Sequence, residues 1–109
     1  MTREFIMTEV FDRLWYKVGL TDDDLLKLQI ALMTNPIIGD IIVGTGGARK
    51  TRFALHDKGK SGGIRIIYVD LPKKNQIFLI LCYTKSRQDD LSSEQEKQVK
   101  KLVEALKGV

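Results

Sequence analysis

Three β-rich segments follow one another in the second half of this chain, and they constrain its fold more than anything else in it. Ile77 to Thr84 is an almost unbroken apolar run, short enough for a strand and suited to the centre of a sheet. Ile64 to Leu71 is rich in β-branched residues. Arg49 to Leu55 alternates, so that Lys50 and Arg52 point one way and Phe53 and Leu55 the other. Pro72 to Asn75 reads as a hairpin connection, which predicts antiparallel neighbours. His56 to Gly63 is polar, Gly-rich and basic, as expected of a mobile loop.

Helical signals flank this block. Thr8 can cap a helix whose buried stripe is Phe11, Leu14, Trp15 and Val18, and Gly19 ends it. Thr21 opens a second helix, with Asp24 at the spacing of a capping box. Leu25, Leu28 and Leu32 form its stripe, widened by Ile30 and Met33, and Asn35-Pro36 stops it. Ser92 caps a last helix with Gln95 in the same relation, and Val99, Leu102, Val103 and Leu106 are its apolar side. Gly108 sits where that helix can end. Residues 2–7 read as a short strand, and Ile41 to Val43 as a short apolar stretch before the irregular Gly44-Thr-Gly-Gly47. The expected order is β-α-α-β-β-β-α. That is an α+β domain over residues 1–109, with its helices on one face of an antiparallel sheet.

Composition sets the outer limits. At 109 residues, 43% of them hydrophobic, the chain can bury one core, and disorder throughout is excluded. The longest apolar stretch, Ile77 to Tyr83, falls well short of the roughly 18–20 residues of a membrane-spanning helix. Arg3 and Glu4 lead into no signal-like apolar region, and the single Cys82 excludes an internal disulfide. A reducing, cytoplasmic setting is expected. Charge is uneven along the chain. Residues 1–43 hold four basic and seven acidic side chains, residues 44–88 ten and two, and residues 89–109 four and five. A middle segment at net +8 points to a polyanion such as nucleic acid, or else to a solvated basic face.

Several motifs carry less than they suggest. Gly44-Thr-Gly-Gly-Ala-Arg-Lys50-Thr51 has the look of a phosphate loop, but Arg49 stands where a Walker loop needs Gly before its Lys. His56 is the only histidine and lacks metal-ligand neighbours, so no metal and no cofactor are expected. Cys82 lies in the apolar run and reads as a buried thiol rather than a nucleophile. Asp89, Asp90, Glu94 and Glu96 gather at a helix start, where the helix dipole accounts for them. The basic set is different. Lys50 and Arg52 share a strand face, Arg65 begins the next strand, and Lys85 follows Tyr83 at the end of the last. If these converge, they make a phosphate site. A lysine among such cations should have a lowered pKa and could transfer protons, while the arginines would stabilise an oxyanion. An inert basic sheet face is the alternative that residue types alone leave open.

Asn35-Pro-Ile-Ile-Gly-Asp40, Gly44-Thr-Gly-Gly-Ala-Arg-Lys50, Gly59-Lys-Ser-Gly-Gly-Ile-Arg-Ile-Ile-Tyr68 and Tyr83-Thr-Lys85, followed by Asp90-Leu91, together resemble the RelE/HigB toxins of bacterial type II toxin–antitoxin modules, in particular the HigB-type branch. The likeness spans about residues 10–105. It implies a microbial RNase-like RelE fold and a ribosome-dependent endoribonuclease that cuts messenger RNA without metal. In that chemistry the ribose 2′-hydroxyl attacks the adjacent phosphate. It also implies a cognate antitoxin, often of helix-turn-helix type. Lys50, Arg52, Arg65 and Lys85 match the catalytic positions, with Arg65 as phosphate clamp and Lys85 for proton transfer. Arg49, Lys58, Lys60, Tyr83 and Arg87 are the expected RNA contacts. The chain departs from the pattern in two places. Ser86 stands where some members carry a second arginine, and Leu91-Ser92-Ser93 lacks the aromatic that some place at the final helix. A non-catalytic module, or a ParE-like poison of DNA gyrase, is the competing expectation; ParE relatives generally lack the strand cations kept here.

Overall fold

The computed structural model describes residues 3–54 and 63–108. Eight regular elements follow in order. They are β1 (Glu4–Met7), α1 (Glu9–Lys17), α2 (Asp22–Thr34), β2 (Asp40–Ile41), β3 (Arg49–Phe53), β4 (Ile64–Leu71), β5 (Gln76–Thr84) and α3 (Ser93–Lys107). A 3-10 turn at Pro72–Lys74 joins β4 to β5, and Asn75 closes it in the left-handed region at φ 55°. The three helix starts form where the side chains dictate. The Thr8 hydroxyl accepts from the Phe11 N–H, and Thr21/Asp24 and Ser92/Gln95 both make complete capping boxes.

The strands form one sheet in the order β1-β5-β4-β3-β2. β4 holds the middle of the sheet, and β5, expected there from its apolar run, is the interior strand beside it, paired on both sides. The sheet is not wholly antiparallel, however: β1 runs parallel to β5, with Phe5 opposite Ile77. The chain leaves β1 through α1 and α2 and returns through the meander, so β1 fills the edge of β5 that β4 leaves open. The short stretch after α2 pairs as well, with Asp40 opposite Lys50, and adds a strand to the expected count.

Helices cover both faces, not one. Phe11, Trp15, Leu28 and Leu32 of α1 and α2 pack with Ile64, Ile66, Tyr68, Leu79 and Cys82. Val99 and Val103 of α3 pack with Ile67, Val69 and Leu81 on the other side. The reason is strand alternation in β4 and β5, which are apolar on both faces; an antiparallel sheet with one wet face would show polar residues at every second position. A bulge at Ile67/Tyr68 lets β5 keep both sets of side chains in contact with their helices. Tyr68 also fixes the connection after α2. Its buried hydroxyl accepts from Gly39 N–H (3.0 Å) and donates to Pro36 O (2.9 Å). Any side chain at residue 39 would press on the Lys50 carbonyl, 2.8 Å from a Cβ there, which accounts for glycine.

Candidate functional site

Register brings most of the basic set together. Arg52 lies directly opposite Arg65, and Arg65 directly opposite Tyr83, in one row across β3, β4 and β5. Lys50 lies two residues from Arg52 and so shares its face. This is the face covered by α3, whose apolar cluster holds Ile67 and Leu81 and, one row along, Tyr83. The row Arg52–Arg65–Tyr83 lies at the end of that face near the helix start. Like charges directly opposite one another destabilise a sheet. Arg52 and Arg65 thus make a place that favours an anion.

An acidic partner completes the cluster. Lys50 Nζ pairs with Asp90 Oδ1 at 2.7 Å, where the lysine side chain is 33% exposed and the aspartate 72%. The hydrogen bond to Asp90 holds the Lys50 pKa above its ordinary value, against the lowering by burial and by Arg65. Asp90 is held below the ordinary carboxylate range, first by the hydrogen bond from Lys50 and then by its charge, with Arg65 adding to it. The lowered lysine pKa expected from a purely cationic cluster is thus reversed at Lys50, because a carboxylate stands beside it.

Tyr83 is the third unusual group. It is 6% exposed, and its hydroxyl is buried with no hydrogen-bond partner among the described residues. Its pKa is raised chiefly by burial; Lys50 and Arg65 act to lower it, and Asp90 to raise it. The phenol therefore stays protonated at neutral pH, a donor without an acceptor. Leaving such a group buried costs about 1–3 kcal/mol.

Other expected residues are placed differently. Arg49 points to the opposite face, opposite Tyr68, and donates to Gly39 O at 2.7 Å. Its role there is to hold the chain after α2. Lys85 is exposed, one residue past β5, where the chain turns with Arg87 N–H donating to Thr84 O. Alternation therefore no longer sets its direction. Arg87 lines a cavity of about 340 Å³ between Leu14 and Lys17 of α1, Thr84 and Gln95. Lys58 and Lys60, with His56, lie outside the described residues. Cys82 is buried, and burial pushes its thiol up to about 12, which makes it inert at neutral pH. No group of three metal-ligating side chains occurs among the described residues.

Asp90 is the site residue that sequence reasoning missed. The signal was its position. It lies two residues before the Ser92 cap, outside the first turn of α3, where a helix dipole gives little reason for a carboxylate.

Fold and site together define a small α+β protein with a cluster of cations at one end of its sheet. Residues 3–109 match the family model described as "RelE toxin of RelE / RelB toxin-antitoxin system". The chain belongs to the RelE toxin family. Solved structures agree in fold. A double arginine-to-alanine mutant of the E. coli toxin RelE in the free state is 21% identical, with a TM-score of 0.65 over 94% of this chain and 99% of that one. RelE of the intact E. coli RelBE toxin–antitoxin complex is 22% identical, with a TM-score of 0.57 over 76% and 96%. The archaeal RelE–RelB complex from Pyrococcus horikoshii OT3 gives 18%, 0.54, and 81% and 100%.

Proposed function

We propose that this toxin is an endoribonuclease that cuts messenger RNA on the ribosome, in the cytoplasm, and is restrained by a cognate antitoxin. The row Arg52–Arg65–Tyr83 with Lys50 beside it carries this reading, since it gathers cations and a phenol donor at one end of the sheet. In the reaction the 2′-oxygen forms a bond to phosphorus and the bond to the 5′-oxygen breaks. A proton leaves the 2′-hydroxyl and another reaches the departing 5′-oxygen. Arg65 and Arg52 stabilise the extra charge on the phosphate oxygens. Lys50, kept charged by Asp90, belongs with them rather than with the proton carriers. Lys85 is the proton-transfer residue of this reading. Family membership supports the antitoxin, and helix-turn-helix architecture is the type we expect of it.

The test is growth arrest on induced expression. Arg65→Ala and Lys85→Ala should each relieve arrest while circular dichroism reports a folded protein. Arrest that persists with both residues removed would sink the nuclease reading and favour a protein target.

A further inference from the structure

The Lys50–Asp90 pair and the orphan Tyr83 hydroxyl have one explanation in common. We propose that Asp90 is a built-in stand-in for a phosphodiester: its carboxylate holds Lys50 in the free protein, and an RNA phosphate displaces it and accepts a hydrogen bond from Tyr83. The proposal rests on the RNA-binding part of the reading above, not on cleavage.

Three observations carry it. The pair is close at 2.7 Å, yet the Asp90 side chain is 72% exposed; only its backbone is held, in the connection before α3, by Gln88 Nε2 donating to its carbonyl oxygen at 2.8 Å. An exposed pair of this kind is weak and can be exchanged. Tyr83 is the opposite case. Its hydroxyl is buried, it shares the row of Arg65, and it feels the charges of Lys50, Arg65 and Asp90, yet it has no partner among the described residues. Asp90 is tethered to the chain before α3, and while Lys50 holds one of its oxygens the other makes no bond to Tyr83. A phosphodiester offers two non-bridging oxygens on a tetrahedral centre, one for the lysine and one for the phenol. The exchange therefore satisfies a donor that the internal carboxylate leaves unsatisfied. Until the exchange occurs, Asp90 cancels one charge of the cationic site and excludes weakly bound anions.

The experiment uses a single-stranded RNA with 2′-O-methyl riboses, which binds but cannot be cut. Its dissociation constant is measured against salt for the unaltered protein and for Asp90→Asn, Asp89→Asn and Tyr83→Phe. Asp90→Asn should bind a few-fold tighter. Asp89→Asn, next door but outside the pair, should gain less. Tyr83→Phe should bind about tenfold more weakly at an unchanged salt slope, because a neutral donor to a charged acceptor is lost. Its thermal midpoint should be no lower than that of the unaltered protein. Equal affinities for the two aspartate variants would overturn the proposal, as would full-strength binding by Tyr83→Phe, or no binding by the unaltered protein. Binding with the expected variant pattern but without cleavage of ordinary RNA would uphold it and count against the nuclease.

Discussion

The two faces of the sheet are built from the same strands and do opposite work. On the face under α1 and α2, Phe53, Ile64, Ile66, Tyr68 and Cys82 meet Phe11, Trp15, Leu28 and Leu32. Apart from the Tyr68 hydroxyl, which is bonded twice, and the Trp15 indole N–H, which donates to Thr21 O, that interface is apolar. On the face under α3 the apolar rows stop after Ile67 and Leu81, and the next row is Arg52–Arg65–Tyr83. One residue of register separates a core from a site. The lesson is that alternation lets a single strand build a core with one side and gather charge with the other. Arg65, 9% exposed, stands between Ile64 and Ile66, which anchor β4 from the far face.

Mutations should separate the two faces. The largest effect is expected from Trp15→Ala, which removes a fully buried ring stacked on Phe11. A loss of about 3–5 kcal/mol should appear as a lower urea midpoint, and toxicity should go only because the fold goes. Tyr68→Phe comes next. It strands the buried Gly39 N–H and should cost about 1–3 kcal/mol in the same measurement, loosening the chain between α2 and β3. Arg52→Thr should do the reverse of both. Removing one of two like charges in register should raise stability by a few tenths of about 1 kcal/mol while RNA binding falls. A variant that weakened binding and fold together would blur the distinction between the faces.

Alkaline pH tests the sealed face by itself. Cys82 is held neutral up to about 12 in the folded protein, against an ordinary value of 9.0. Between those values the unfolded chain loses a proton that the folded protein keeps. Stability from this source is complete below pH 9 and declines as pH rises toward 12. Thiol alkylation under native conditions at neutral pH should be slow and should become fast in denaturant. Fast labelling of the folded protein would mean that α1 does not seal β5.

Much of this was legible in the residues themselves. Capping boxes at Thr21/Asp24 and Ser92/Gln95 are local chemistry, and both form where their spacing says. The apolar run of β5 marked an interior strand, though β4 holds the middle of the sheet, and alternation in β3 put Lys50 and Arg52 on one side. What escaped was long-range. Nothing near Phe5 announces that β1 will lie parallel to β5, about seventy residues away in sequence. The second covered face could have been inferred, because β4 and β5 are apolar on both sides. Asp90 escaped because an acid near a helix start already had an explanation, and only its pairing with Lys50 showed that explanation to be insufficient.

Cell-free translation of a defined messenger, with the purified protein added and cut sites mapped by primer extension, would decide whether the cationic end of the α3 face acts on RNA. We expect cuts on translated message only, absent without ribosomes and lost in Lys50→Ala and Arg65→Ala variants that remain folded. Cuts that persist in both variants, or that fall equally on naked RNA, would contradict this account.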